Sequence, residues 1–175
     1  MRSRAFRRRI AALLIDYLLI CAWLAVLAGA ALVVYLITGS LPNWLDLVGT
    51  AGAETLGFVL LVLPVGIYLF TTEASARHAT VGKRALHLQV TDPRTGTPPT
   101  RRQILVRTVV KLIPWELAHF FIWQLAAAGS PTPAWITTGL IAVYVLPLTY
   151  LAMVAFRKDA RGPHDLAANT AVGPS

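Results

Sequence analysis

The chain has 175 residues, of which 56% are hydrophobic and only 14% charged, with a net charge of +8 and a mean hydropathy of +0.61. That is one domain's length and too apolar for a soluble domain, so a membrane protein is expected, with its positive excess in the loops of one side. The single cysteine, Cys21, excludes a disulfide framework and a cysteine-based metal site.

The first apolar run covers about 10–37 and follows Arg7-Arg8-Arg9. A cleaved signal peptide is the rival reading, but its apolar region would be only about 7–15 residues, too short for this run. One carboxylate, Asp16, sits inside the run. A charge at the centre of a spanning helix costs about 2.5–3.5 kcal/mol, so a partner is expected. Arg9 lies seven residues earlier on the same helix face, roughly 10 Å away along the axis, and Arg8 lies about 80° further round. The pair Arg9–Asp16 is therefore the expected charged site. Arg9 as a mere orienting charge and Asp16 as an interfacial acid are the plainer alternatives.

Gly39, Pro42 and Asn43 break the run, and a second span is expected over about 47–70. It carries Glu54, and Pro64 with Gly66 predicts a kink. The stretch from Glu73 to Arg107 is polar and basic. Within it Leu86-His87-Leu88-Gln89-Val90 alternates like a short strand, and Thr91–Gly96 is rich in turn residues. A small hairpin, an interfacial segment, or a linker held by anionic headgroups all fit.

A third span over about 105–128 carries Lys111, Glu116 and His119, and a fourth over about 134–156 is uncharged. The basic clusters are Arg2 to Arg9, Arg77 to Lys111 and Arg157 to Arg161, whereas 38–45 and 129–133 hold no lysine or arginine. Four spans put every basic cluster inside, and three would put the last outside. The expected fold is an all-α membrane protein over 1–175. It is a four-transmembrane-helix bundle with a basic cytoplasmic loop between helices 2 and 3 and a short cytoplasmic C-terminal segment.

Other chemistry finds little support. Thr80-Val81-Gly82-Lys83 lacks the earlier glycine and the following Ser or Thr of a P-loop, so it reads as a turn planting Lys83 at the lipid surface. Glu116-x-x-His119 has di-iron spacing but occurs once, where that chemistry needs two copies and two more carboxylates. With Lys111 it makes a polar patch or an internal helix–helix network. Gly162-Pro163 is followed by His164-Asp165, where Asp165 caps a short tail helix, meets Arg9 or the basic loop, or does both. Each basic cluster abuts a span, so anionic lipid headgroups are the expected partner and nucleic acid is not needed.

The stretch Phe6…Arg9-Ile10-Ala11-Ala12-Leu13-Leu14-Ile15-Asp16, the Thr80–Lys83 motif with Arg107 opening the next helix, and His164-Asp165-Leu166 through Val172 together resemble the RDD family of bacterial membrane proteins. The resemblance implies Arg9, Asp16 and Asp165 as the family's arginine and two aspartates. It also implies transport of unknown ligands, with cation/proton antiport in some members. The resulting expectation is a small transporter or exchanger of the bacterial cell membrane, both termini cytoplasmic, with no enzymatic activity and no cofactor. A homo-oligomer is expected because four spans make a narrow bundle. The alternative is a non-transporting scaffold or regulatory subunit.

Overall fold

The computed structural model describes residues 2–175, with side chains from Phe6 onward; Arg2 and Arg4 of the first basic cluster have their side chains outside this part. Helix α1 runs Arg2–Thr38 without interruption. Helix α2, Trp44–Gly57, passes through a π-helical turn, Phe58–Val62, into α3, Leu63–Glu73. The irregularity expected at Pro64 thus falls in the turn just before it. Proline has no N–H to give to the preceding turn, and the widened ladder absorbs the loss.

A short helix α4, Val81–Ala85, and a strand β1, Leu88–Thr91, make up the ordered part of the central loop. Helix α5, Arg101–Ala127, starts at a capping box in which Gln103 N donates to Thr100 Oγ1 at 3.2 Å and Thr100 N donates to Gln103 Oε1 at 2.8 Å. Helix α6 covers Ala134–Phe156, and the tail forms α7, Pro163–Ala167, and β2, Ala171–Pro174. The strand expected near 86–90 forms, but its partner is not a hairpin neighbour. β1 pairs antiparallel with β2, with Leu88 opposite Pro174 and Thr91 opposite Ala171.

Among the described residues three helical stretches are long and apolar enough to cross a membrane: Phe6–Thr38, Trp44–Glu73 and Ala134–Phe156. α5 has the length, about 40 Å at 1.5 Å per residue, but carries Arg101, Arg102, Arg107 and Lys111 in its first half. Large apolar side chains face outward along all of these helices, with Leu36 72% and Ile37 78% exposed. A soluble protein does not carry such a surface, and lipid is the solvent it suits. The packed interior is small. Ile20 of α1 meets Val65 and Leu69 of α3 beneath Leu112 and Trp115 of α5.

One close approach sets the arrangement at the basic end. α1 packs chiefly against α4, and a Cβ at Gly82 would lie 2.0 Å from the carbonyl oxygen of Ala12. Only glycine lets the two backbones come this near. α5 in turn packs against α6 and α7, so the start of α1, the end of α3, the start of α5 and the tail all meet at one end of the bundle.

Candidate functional site

Asp16 is buried, as expected, but its partners are not. Its Oδ1 accepts from the Tyr68 hydroxyl at 2.7 Å and from Gly82 N at 2.8 Å, and its Oδ2 accepts from Thr80 Oγ1 at 2.6 Å. Two hydroxyls and an amide thus satisfy an acceptor-only group and moor α1 to α3 and α4. No hydrogen bond or ion pair joins Asp16 to Arg9 among the described residues. Arg9 donates instead to the carbonyls of Ala160 and Val172 in the tail, and Arg8 to those of Leu86 and His87. On the face of α1 that carries Asp16, α4 docks at Ala12 and Asp16. The arginine above that contact reaches outward to the C-terminal segment.

The charged centre of the molecule is Glu73, the last residue of α3, which is 0% exposed. Its Oε1 accepts from Lys83 Nζ and from Lys111 Nζ, the latter at 2.9 Å, and its Oε2 accepts from Arg107 Nε at 2.9 Å. Arg107 then donates through Nη1 to Asp165 and to Thr170 Oγ1 at 3.0 Å. Asp165 accepts from Gly162 N at 3.1 Å, closing the first turn of α7 on itself. The tail is held further by Arg161, which donates to the carbonyl of Thr170 at 2.8 Å. Lys83 is therefore not at the lipid surface. Glycine-permitted docking of α4 carries it inward, where a buried ammonium needs Glu73.

Burial and pairing set the charge states outside the spans. Burial pushes the Lys83 ammonium down to about 7, and the neighbouring Lys111 and Arg107 add to this against the pull of Glu73. Burial alone would raise Asp165, but Arg107 and the Gly162 amide outweigh it and bring the carboxyl to about 2. His164 is held well below its ordinary 6.5, first by burial and then by the positive charge of Arg107, so it is neutral at pH 7.

The remaining sequence candidates form a separate spot deeper in the bundle. Glu54 accepts from Gln124 Nε2 at 2.5 Å, and His119 accepts from Trp123 Nε1 at 2.9 Å while its Nδ1 lies 3.8 Å from Glu116. Lys111 does not join Glu116 and His119, because its ammonium turns to Glu73. Glu73, Tyr68, Thr80 and Thr170 are not among the site residues that the sequence alone singles out. Glu73 has a usable signal, since it stands only three residues beyond the apolar run that ends at Phe70.

A cavity of about 830 Å³ reaches from this cluster along the bundle. Arg9, Asp16, Lys83, Arg107, Lys111 and Asp165 border its polar end, and side chains of α1, α3, α5 and α6 form apolar walls. Its α6 side is open, with Tyr144 76% and Leu148 66% exposed.

Apolar helices around a buried ionic cluster define a polytopic helical membrane protein. The RDD family model matches residues 4–169, nearly the whole chain, and the protein belongs to the RDD family. Comparison with curated proteins gave no match, and comparison with solved structures gave none either.

Proposed function

We propose that the protein is a four-pass bacterial cell-membrane protein acting as a small proton-coupled transporter, with both termini and the central loop cytoplasmic. The observation that carries this reading is the cavity, which brings an ionic cluster to the end of an apolar-walled space. A pocket of this size with few convergent polar groups is the ordinary form of a small-molecule site. The four-span topology is supported by the meeting of Arg9, Glu73, Arg107 and Asp165 at one end, together with the basic charge there.

In this reading Lys83 carries the exchangeable proton. Burial brings its ammonium down to about 7, it lines the cavity, and its fixed counter-charge is Glu73. Asp16 holds the Thr80–Lys83 turn in place through its bonds to Thr80 and Gly82. Arg107 and Asp165 link the cluster to the tail, so movement of the tail and a change of charge in the cavity are mechanically joined. Cation-for-proton exchange is the form of transport that family resemblance suggests.

The test is reconstitution of the full chain into vesicles containing anionic lipid and an internal pH dye, under an imposed pH gradient and with a panel of monovalent and divalent cations. Proton movement is expected in the wild type and is lost in Lys83→Arg, which keeps the charge but cannot release it. An absence of protein-dependent flux under every condition refutes the transporter and favours a scaffold or regulatory subunit. Cysteine labelling in a Cys21-free background tests topology: Ser40 and Ser130 label from outside, and Thr95 and Ser175 do not.

A further inference from the structure

The cavity has a shape and charge that select one class of occupant. Along α1 it extends from Arg9 to Ile20, about 16 Å, and along α5 from Arg107 to Ile122, about 22 Å at 1.5 Å per residue. One leaflet of a bilayer's hydrocarbon is about 15 Å deep, half of about 30 Å. The cavity is therefore about one leaflet tall, polar at one end only, and open sideways past Tyr144 and Leu148.

Four cationic side chains, Arg9, Lys83, Arg107 and Lys111, gather at the polar end with three carboxylates, Asp16, Glu73 and Asp165, so with Lys83 protonated four less three leaves one formal positive charge. Two of the cations have donors to spare for a ligand. Among the described residues the hydrogen bonds of Arg9 go to backbone carbonyls, and Lys111 makes one bond, to Glu73, with its side chain 22% exposed. An ammonium carries three donors.

We propose that the cavity holds one phospholipid with a single negative charge on its headgroup, the phosphate seated between Arg9 and Lys111 and the acyl chains lying along α5 and α6. A bilayer lipid reaches this site through the open α6 side with its headgroup already at the basic end, whereas a free anion would leave the apolar walls unfilled. The inference rests on the cavity being the transport site of the proposed function and names what enters it. Binding without proton flux would sink the transporter and leave the lipid site standing. Flux without lipid binding would do the reverse.

The experiment uses the delipidated full chain in detergent and native mass spectrometry. The probes are phosphatidylglycerol, phosphatidylcholine with the same acyl chains, a free fatty acid, and inorganic phosphate as competitor. One phosphatidylglycerol per chain is expected, bound at least about tenfold more tightly than phosphatidylcholine, a difference of about 1.4 kcal/mol. Lys111→Gln should remove that preference. Because Lys111 also serves the ionic cluster, Leu148→Trp provides a second arm, filling the mouth from an exposed position that takes no part in the cluster. It should reduce binding of phosphatidylglycerol about tenfold or more while the melting temperature holds. Equal affinity for the two phospholipids, undiminished binding in Leu148→Trp, or a fatty acid or phosphate that binds as well as phosphatidylglycerol would each overturn the proposal.

Discussion

Glu73→Gln is the substitution with the largest expected cost. The carboxylate is fully buried and accepts bonds from three cationic side chains, Lys83, Lys111 and Arg107. The amide keeps the shape and loses the charge, which leaves Arg107 and Lys111 without their shared anion, drives Lys83 towards its neutral form, and leaves Asp165 as the anion bonded to Arg107. Removing one partner of a buried pair costs about 3–5 kcal/mol, and here one anion serves three partners, so the upper end of that range is expected. Against a total stability of about 5–15 kcal/mol, this would leave little folded protein at 37 °C. The assay is thermal unfolding in detergent followed by fluorescence-detected size exclusion. Adding Lys111→Met to Glu73→Gln removes one of the stranded cations and should recover part of the loss, giving a coupling of about 1–3 kcal/mol. If Glu73→Gln alone melts like the wild type, or if the two changes simply add, the cluster is not what holds this end of the molecule together.

Gly82→Ala should cost about 3 kcal/mol or more in the same melting assay, since the new methyl would sit 2.0 Å from a backbone oxygen that cannot step aside. Wild-type stability would mean that α1 and α4 do not touch as described. Arg9→Ala and Asp16→Asn should be additive to within about 0.5 kcal/mol, because the two residues share no hydrogen-bond partner, and a larger coupling would restore the direct pair. Stability should also fall in acid through Asp165. Its carboxyl is lowered from 3.8 to about 2 on folding, so its contribution is fully present above about pH 4 and is lost as pH falls towards 2. In Asp165→Asn that part of the acid transition should vanish, and an unchanged pH profile would contradict the assignment.

The sequence carried the helices well. The apolar runs drawn at 10–37, 47–70 and 134–156 lie within the stretches Phe6–Thr38, Trp44–Glu73 and Ala134–Phe156. Asp16 stands out as an acid inside an apolar run and Asp165 is implied by the family resemblance, and both are buried. The sequence did not reveal their partners. Helical spacing says which residues share a face of α1 but not what lies on that face, and α4 comes down on it because Gly82 has no side chain. Glu73 lies outside the predicted second span because the apolar run ends at Phe70. Three more residues would have turned a loop acid into an intramembrane one and invited the question asked of Asp16. The β1–β2 pairing lay beyond local reading. Ala171-Val172-Gly173-Pro174 has too little alternation to announce a strand, and its register is fixed from elsewhere, by Arg9 on the carbonyl of Val172 and by β1 itself.

The central claim is that substrate and proton coupling run through the cavity beside the ionic cluster. Proton flux in vesicles carrying Leu148→Trp tests it most directly, since that side chain borders the cavity yet has no part in the hydrogen bonds of the cluster. Flux at or near background, in a variant that melts and inserts like the wild type, is the expected result. Wild-type flux through the filled cavity would contradict the account.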